Sequence, residues 1–211
     1  MSSKRWMVRG LAALGLWAAA AASQAQIVVG QVAPFSGPQA VTGRAIHAGA
    51  KLYIDAVNAR GGVKGQRIRF VTRDDAQKAE DTVRLVKAMI AEDAPVALLG
   101  TVGTTNLEAL AKDGVLVRSR TAMVGGVSGA ATVAQAQGIH VVKASYHDEI
   151  GRLFRQLSQV GVSRVGLVYQ DDGLGQDVLA GAQAAARTHG INLMVQASYP
   201  RNTTDVGAAV Q

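Results

Sequence analysis

Residues 27–38 read Ile-Val-Val-Gly-Gln-Val-Ala-Pro-Phe-Ser-Gly-Pro, an apolar strand pattern followed by a tight turn. Apolar residues then recur with three-four spacing from about Thr42, which predicts an amphipathic helix packed on a sheet. The residues predicted to face inward are Ile46, Ala50, Tyr53, Ile54 and Val57. Gly61 follows the last of them and can take the left-handed conformation that ends a helix. The next apolar segment, 67–72, completes a predicted strand, helix, strand unit with short connections.

The same alternation continues along the rest of the chain. Further strands are predicted at 96–100, 121–124, 139–142, 164–169 and 191–197. Helical patterns separate them, including a short helix at 107–114, a longer one at 174–189, and the start of one more over 200–211. Strands that alternate with helices are typical of an α/β fold with a parallel sheet covered on both faces.

A boundary is predicted after Lys143, where a new amphipathic helix begins. Either Ser145 or Asp148 could cap that helix. We therefore assign 26–143 to an N-terminal α/β lobe and 144–211 to a partial second α/β lobe. The second lobe is expected to be incomplete, because two strands and their helices make a small sheet for an independent core.

The first 25 residues have the pattern of a cleavable signal peptide. Basic residues Lys4, Arg5 and Arg9 precede an apolar run over 10–22, and Ser23-Gln24-Ala25 places small residues at a cleavage site. The apolar run is shorter than the roughly 20 residues that span a bilayer. We therefore expect cleavage after Ala25 and secretion of a chain that begins at Gln26. The sequence has no cysteine for a lipid anchor, a disulfide or a thiol nucleophile.

The charge of the chain does not favour nucleic-acid binding. Three of the 22 basic residues and none of the 15 acidic ones lie in the predicted leader, which leaves 19 basic against 15 acidic residues, a net charge of +4. Acidic residues are interspersed among the basic ones, and only nine aromatic residues are available for base stacking, four Tyr, three Phe and two Trp. This pattern indicates an ordinary solvated surface.

Four motifs together carry a family resemblance. They are Val29–Gly37, Asn58–Gly65, Asp75 at the end of the second strand, and Tyr169–Gly175. In combination they resemble the substrate-binding proteins of branched-chain amino acid ABC transporters, the leucine/isoleucine/valine-binding type 1 periplasmic binding proteins. The resemblance covers 27–211 but only the front of the family's chain, so the sequence resembles a truncated member.

The resemblance implies two α/β lobes joined by a hinge, with a small-molecule ligand held in the cleft between them. It also implies a monomer in the periplasm, without a cofactor, whose closed form is presented to a membrane permease. The ligand class implied is an amino acid, an amide or a related carboxylate. The exact ligand and the cognate permease are not determined by the sequence.

Two loops rich in Gly, Ser and Thr, 100–106 and 125–130, follow neighbouring predicted strands. Ligands of open parallel sheets bind beyond the carboxyl ends of the strands, and small residues let a ligand approach the backbone. In the family, such loops hold the α-carboxylate and ammonium of an amino acid. The resemblance assigns this role to Thr101, Val102, Gly103, Thr104, Val127, Ser128 and Gly129. The alternative is that these residues are ordinary helix caps and turns.

Two residues of the second lobe are also candidates. Tyr146 could close on the ligand from across the cleft, or it could be a surface tyrosine beside the hinge. Leu174 stands where leucine/isoleucine/valine binders commonly carry an aromatic residue that covers the ligand. This departure leaves amides, aromatic acids and other small carboxylates open as ligands.

Catalytic alternatives have weaker support. Gly126-Val127-Ser128-Gly129-Ala130 nearly matches the nucleophile elbow of serine hydrolases, but its last position is alanine. The pairs Asp74-Asp75 and Asp171-Asp172 follow strands, where aspartates more often cap. The four histidines lack the i, i+4 spacing of a metal site. A serine hydrolase and a ligand-sensing regulatory domain on the same fold are the alternatives to a transport protein.

Overall fold

The computed structural model describes residues 26–209 and shows an α/β architecture. A five-stranded parallel sheet has the order β2-β1-β3-β4-β5. Its strands are β1 (Ile27–Ala33), β2 (Ile68–Asp74), β3 (Ala97–Leu99), β4 (Ala122–Gly126) and β5 (Ile139–Val141). The predicted parallel α/β fold is confirmed. The predicted signal peptide, residues 1–25, lies outside the described residues.

Helices connect the strands of this sheet, as parallel pairing requires. They are α1 (Ala40–Ala59), α2 (Ala79–Asp93), α3 (Thr104–Asp113), α4 (Val115–Ser119) and α5 (Ala131–Ala134). The core between sheet and helices contains Val32, Met89, Leu98, Leu107 and Met123, all completely buried. We call this part of the molecule, residues 26–141, the five-stranded unit.

A separate two-stranded parallel sheet follows. Its elements are α6 (Tyr146–Gln159), β6 (Arg164–Asp171), α7 (Gly173–His189) and β7 (Asn192–Pro200). Phe154 of α6 packs against the alanine-rich face of α7 in a small core of its own. We call residues 146–209 the two-stranded unit. The division of the chain into domains at 143/144 stays a prediction.

The inward face predicted for α1 is wrong at Tyr53, which is 70% exposed. The buried positions of α1 are Ala40, Gly43 and Ile54. At Gly43 a Cβ atom would stand 1.9 Å from the carbonyl oxygen of Pro34, so only glycine permits this approach. Successive helix residues are separated by about 100° of rotation. Because Ile54 is buried, the neighbouring Tyr53 points towards solvent.

The helix predicted over 200–211 is also wrong within the described residues. Strand β7 continues to Pro200 because it stays paired with β6 up to Asp171. A turn follows in which Asn202 has a φ of 58°, and then a single 3₁₀ turn over Gly207–Ala209. None of the helices within 26–209 is long and apolar enough to cross a membrane.

Candidate functional site

The two Gly, Ser and Thr-rich loops lie side by side at the carboxyl ends of β3 and β4. An isolated parallel bridge joins Val102 to Val127. The amide of Val127 donates to the Thr101 carbonyl at 2.9 Å, and the amide of Gly103 donates to the Val127 carbonyl at 3.2 Å. The hydroxyls of Thr104 and Ser128 are 2.8 Å apart. The structure therefore brings the two predicted segments together at one rim of the sheet.

A cavity of about 220 Å³ lies at this rim, between the five-stranded and the two-stranded units. Six predicted site residues line it: Val102, Gly103, Thr104, Val127, Tyr146 and Leu174. The first four come from the loops after β3 and β4, and the last two face them from the two-stranded unit. Larger, more open grooves lie elsewhere, among them one along α6, one between α2 and α3, and one beside α4 at the amino end of β4. None of these adjoins the carboxyl ends of the strands, so the cavity at the rim is the candidate site.

The three other predicted site residues do not line the cavity. Thr101 is completely buried, and its hydroxyl donates to the Val32 carbonyl at 2.8 Å. Ser128 is completely buried, pairs with the Thr104 hydroxyl and accepts from the Ala130 amide at 3.1 Å. These bonds tie the loops to β1 and to each other. Both residues therefore lie behind the cavity wall and hold the two loops in position.

Gly129 lies where the two units meet. A Cβ atom there would be 2.5 Å from the Ala144 carbonyl oxygen and 3.0 Å from the Tyr146 amide. The Tyr146 amide donates to the Gly129 carbonyl at 2.9 Å. Gly129 thus permits close backbone packing beside the connection between the units, and this contact helps to place the Tyr146 ring at the cavity.

Sequence reasoning missed several polar residues of the cavity. Gln39 and Thr42 come from the start of α1, Gln77 from the loop after β2, and Gln170 from the end of β6. Asp172, Arg201 and Asn202 complete the set. The sequence could have indicated Gln77 and Asp172, because each follows the carboxyl end of a strand, as the two loops do. Arg201 and Asn202 fall in the segment predicted as a helix, so sequence reasoning could not place them.

Gln77 is held in an unusual backbone position. It and Ala76 have φ values of 65° and 47°, in the left-handed region. Its Nε2 atom donates long hydrogen bonds of 3.4 Å to the Val102 carbonyl and to Asn106 Oδ1. Its Oε1 atom is buried without a hydrogen-bond partner among residues 26–209. Gln77 therefore adds an unused acceptor beside the cavity.

A buried polar chain supports this side of the site. Asp75 is completely buried, accepts from the Gln77 amide at 3.0 Å, and accepts from the Thr82 hydroxyl at 2.6 Å. The Nδ2 atom of Asn106 donates to that hydroxyl at 2.7 Å. Burial raises the pKa of Asp75, with a further rise from neighbouring Asp74, and the hydrogen bonds oppose this shift.

Asp74 fixes the turn after β1. Its Oδ1 atom accepts from the amides of Phe35, Ser36 and Ala76 at 2.9–3.2 Å. Burial opposes ionisation, but hydrogen bonds from Ser36, Phe35 and Ala76 outweigh it and lower the pKa of Asp74. The expectation that strand-end aspartates cap helices is met at Asp172, which caps α7. Asp74 and Asp75 instead accept from amides of turns, and Lys78 is the N-cap of α2.

Ser128, the serine in the segment that nearly matches a nucleophile elbow, lacks the neighbours that a catalytic nucleophile needs. Within 26–209, no histidine or carboxylate forms a hydrogen bond with Ser128, whose partners are Thr104 and Ala130. Serine hydrolases need a base within hydrogen-bond reach. No group of three or more His, Cys, Asp or Glu side chains suited to a metal ion occurs in the described part of the chain.

Comparison with known proteins gives one family. A family model described as periplasmic binding protein matches residues 26–211. The Leu/Ile/Val-binding protein homolog 7 of Brucella suis biovar 1 (strain 1330) is 24% identical over an alignment of 210 positions, which covers 95% of this chain and 52% of the relative. The chain spans about half the length of the curated relatives it matches.

Solved structures agree in fold. A substrate-binding periplasmic protein from Ralstonia solanacearum has 47% identity and a TM-score of 0.84, over 88% of this chain and 52% of that one. A solute binding protein of an ABC transporter from Rhodopseudomonas palustris BisB5, solved in complex with 3,4-dihydroxy benzoic acid, has 22% identity and a TM-score of 0.77. The match covers 87% of this chain and 50% of that protein.

Proposed function

This chain belongs to the periplasmic binding protein family, and we propose that it acts as the extracytoplasmic solute-binding component of an ABC importer. Its architecture is that of the type 1 proteins of this family. In this proposal it is exported to the periplasm, works as a monomer without a cofactor, and delivers its ligand to a membrane permease. It binds the ligand without covalent chemistry.

One observation carries the proposal: two glycine and threonine-rich loops meet at the ends of neighbouring parallel strands and face a second unit across a cavity. Ligands of open α/β sheets bind at this kind of edge. A volume of about 220 Å³ corresponds to about seven water molecules at about 30 Å³ each. The site therefore suits a ligand of the size of a small amino acid, amide or organic acid.

The start of α3 supplies donors to this site. Thr104 is its first residue, and the amides of the first turn have no acceptor within the helix. Together with the helix dipole, such amides favour a negatively charged group. The Thr104 hydroxyl, held by Ser128, adds a further polar contact. These groups support binding of a ligand carboxylate at the five-stranded unit.

The two-stranded unit supplies the opposite wall through Tyr146 and Leu174. A ligand that contacts both units stabilises the closed arrangement by the contacts it makes only there. The connection over 142–145 between the two sheets is the place for the hinge. The permease would then recognise the closed form.

A cavity-filling substitution tests the proposed site. In Leu174→Trp a large indole replaces a side chain that lines the small cavity, so we expect at least a tenfold loss of ligand affinity. The measurement is isothermal titration of the 211-residue chain against a panel of amino acids, small amides and carboxylates.

Leu153→Trp is the matched control, because Leu153 is 51% exposed on α6 and does not line the cavity. It should bind as the unmodified chain does. Equal affinity in both tryptophan variants would show that ligand binds elsewhere. Absence of binding to every member of the panel would refute the proposed function.

A further inference from the structure

Among residues 26–209, only two that line the cavity carry a formal charge, Arg201 and Asp172. Both belong to the two-stranded unit, Arg201 just after β7 and Asp172 just before α7. Their charges cancel overall, but the two side chains differ in how many of their hydrogen-bonding positions are already used. This difference bears on the kind of ligand that fits.

Asp172 uses most of its acceptor positions within the protein. Its Oδ1 atom accepts from the Gly175 amide at 3.1 Å and caps α7. Its Oδ2 atom accepts from Gln170 Nε2 at 2.6 Å and from the Thr105 hydroxyl at 3.4 Å, and it lies 3.6 Å from Arg201 Nε. The side chain is only 9% exposed. A ligand ammonium would therefore find few open acceptor positions on this carboxylate.

Arg201 keeps donors unused. Its Nη2 atom donates to Asn106 Oδ1 at 2.7 Å and to the Gln77 carbonyl at 3.3 Å. Among residues 26–209, Nη1 makes no hydrogen bond. A guanidinium has five N–H donors, two of them on Nη1. The side chain is 19% exposed, so its charge is partly removed from water. A carboxylate is the natural partner for such a group.

We infer that the ligand of this site is a carboxylic acid that carries no ammonium group, with its carboxylate paired to Arg201. The inference rests on the proposed function and names the substrate class of that site. The unused hydrogen-bonding positions of this pair are mainly donors on Arg201, and the first-turn amides of α3 add further donors. The other polar side chains on the wall, Gln39 and Gln170 among them, are neutral and suit a hydroxyl or an amide better than a desolvated cation.

The test compares ligands that differ only in charge. The first set is 4-methylpentanoate, leucine and 4-methylpentanamide, and the second is 3-phenylpropanoate, phenylalanine and 3-phenylpropanamide. Isothermal titration of the 211-residue chain measures all six. We expect the acid of at least one set to bind at least tenfold more tightly than the amino acid and the amide of that set.

Arg201→Gln should lower the affinity for that acid at least tenfold and change the affinity for the amide less than twofold. Arg187→Gln is the control, because Arg187 is exposed in the last turn of α7 and does not line the cavity. It should leave all the affinities unchanged.

The inference is overturned if neither set shows this preference for the acid, and the proposed function stands as long as any ligand binds. An unchanged acid affinity in Arg201→Gln overturns the inference as well. If none of the six ligands binds, the inference is overturned, and the wider panel of amino acids, amides and carboxylates decides the proposed function. The order of affinities is measured on the unmodified chain, so it tests the inference even if the Arg201→Gln variant does not fold.

Discussion

At the scale of single residues, the site is defined by which polar groups are already satisfied. Thr101, Ser128 and Thr104 are all buried and use their hydroxyls within the protein, and of the three Thr104 lines the cavity. Asp75 is also completely buried, with both carboxylate oxygens engaged. A buried carboxylate of this kind links the stability of the site to pH.

Replacing Asp75 by asparagine should reduce the pH dependence of stability. The raised pKa means that the folded chain holds a proton on Asp75 where the unfolded chain has lost it. Its contribution to stability is therefore full below the unfolded pKa of about 3.9 and is lost as pH rises through the raised folded value. Asp75→Asn, which stays uncharged, should remove this loss.

Urea unfolding between pH 4 and pH 8 measures the effect. The control is Asp205→Asn, because Asp205 is exposed and forms no hydrogen bond with the buried network around Asp75. A fall in stability with pH that is as steep in Asp75→Asn as in the unmodified chain, or steeper, would contradict the argument.

At the scale of elements, helix ends position the second wall of the cavity. The Ser145 hydroxyl accepts from the Asp148 amide at 3.0 Å, so Ser145 is the N-cap of α6 and the choice between the two predicted capping residues is settled. Tyr146, the first residue of α6, is thereby fixed beside the cavity. Asp172 caps α7 in the same way and places Leu174.

Loss of the α6 cap should destabilise the chain without removing any group from the cavity. Ser145→Ala leaves the Asp148 amide in the first turn of α6 without its acceptor, and such substitutions cost about 1 kcal/mol. Ser163→Ala, at an exposed position between α6 and β6, should change the free energy of unfolding by less than about 0.5 kcal/mol. Thermal unfolding followed by circular dichroism measures both variants, and equal melting temperatures would contradict the capping role.

At the scale of the whole molecule, the two units differ in how well their sheets are covered. The five-stranded sheet has a large core, whereas the two-stranded sheet leaves Val168, Met194 and Val195 at least 47% exposed. Within the described residues β7 pairs only with β6, so its other edge is unpaired. Apolar strands with an open edge promote association between copies.

A charge on this edge should reduce aggregation. Val195→Lys places a lysine on β7 at a residue that is 60% exposed, and we expect a lower rate of aggregation in light scattering at elevated temperature. Val160→Lys is the control, because Val160 is 66% exposed but lies at the end of α6, away from the sheet. A decrease of equal size in both variants would show that added charge alone, and not the strand edge, is responsible.

Sequence patterns located most of the elements, because apolar periodicity reports which face of a local segment is buried. They missed the orientation of Tyr53, because the packing of α1 in the folded chain buries the neighbouring Ile54 instead. They also missed Arg201, because the pairing of β7 with β6 extends the strand to Pro200 and puts a turn where a helix was predicted. The packing of α1 and the pairing of β7 with β6 each involve two separate segments of the chain. Apolar periodicity within one segment therefore does not predict them.

The amino-acid sequence by itself determined the α/β class, the family resemblance, and the two loops at neighbouring strand ends. Strand patterns and glycine positions can be read from local sequence. Because parallel strands have their carboxyl ends at one edge of the sheet, these local patterns also predict that the two loops lie at the same rim. Only the tertiary structure decided which loop residues face the cavity, and that Arg201 and Asp172 stand opposite them. Side-chain exposure and spare hydrogen-bonding capacity depend on partners up to 124 residues apart in the chain, as for Arg201 and Gln77.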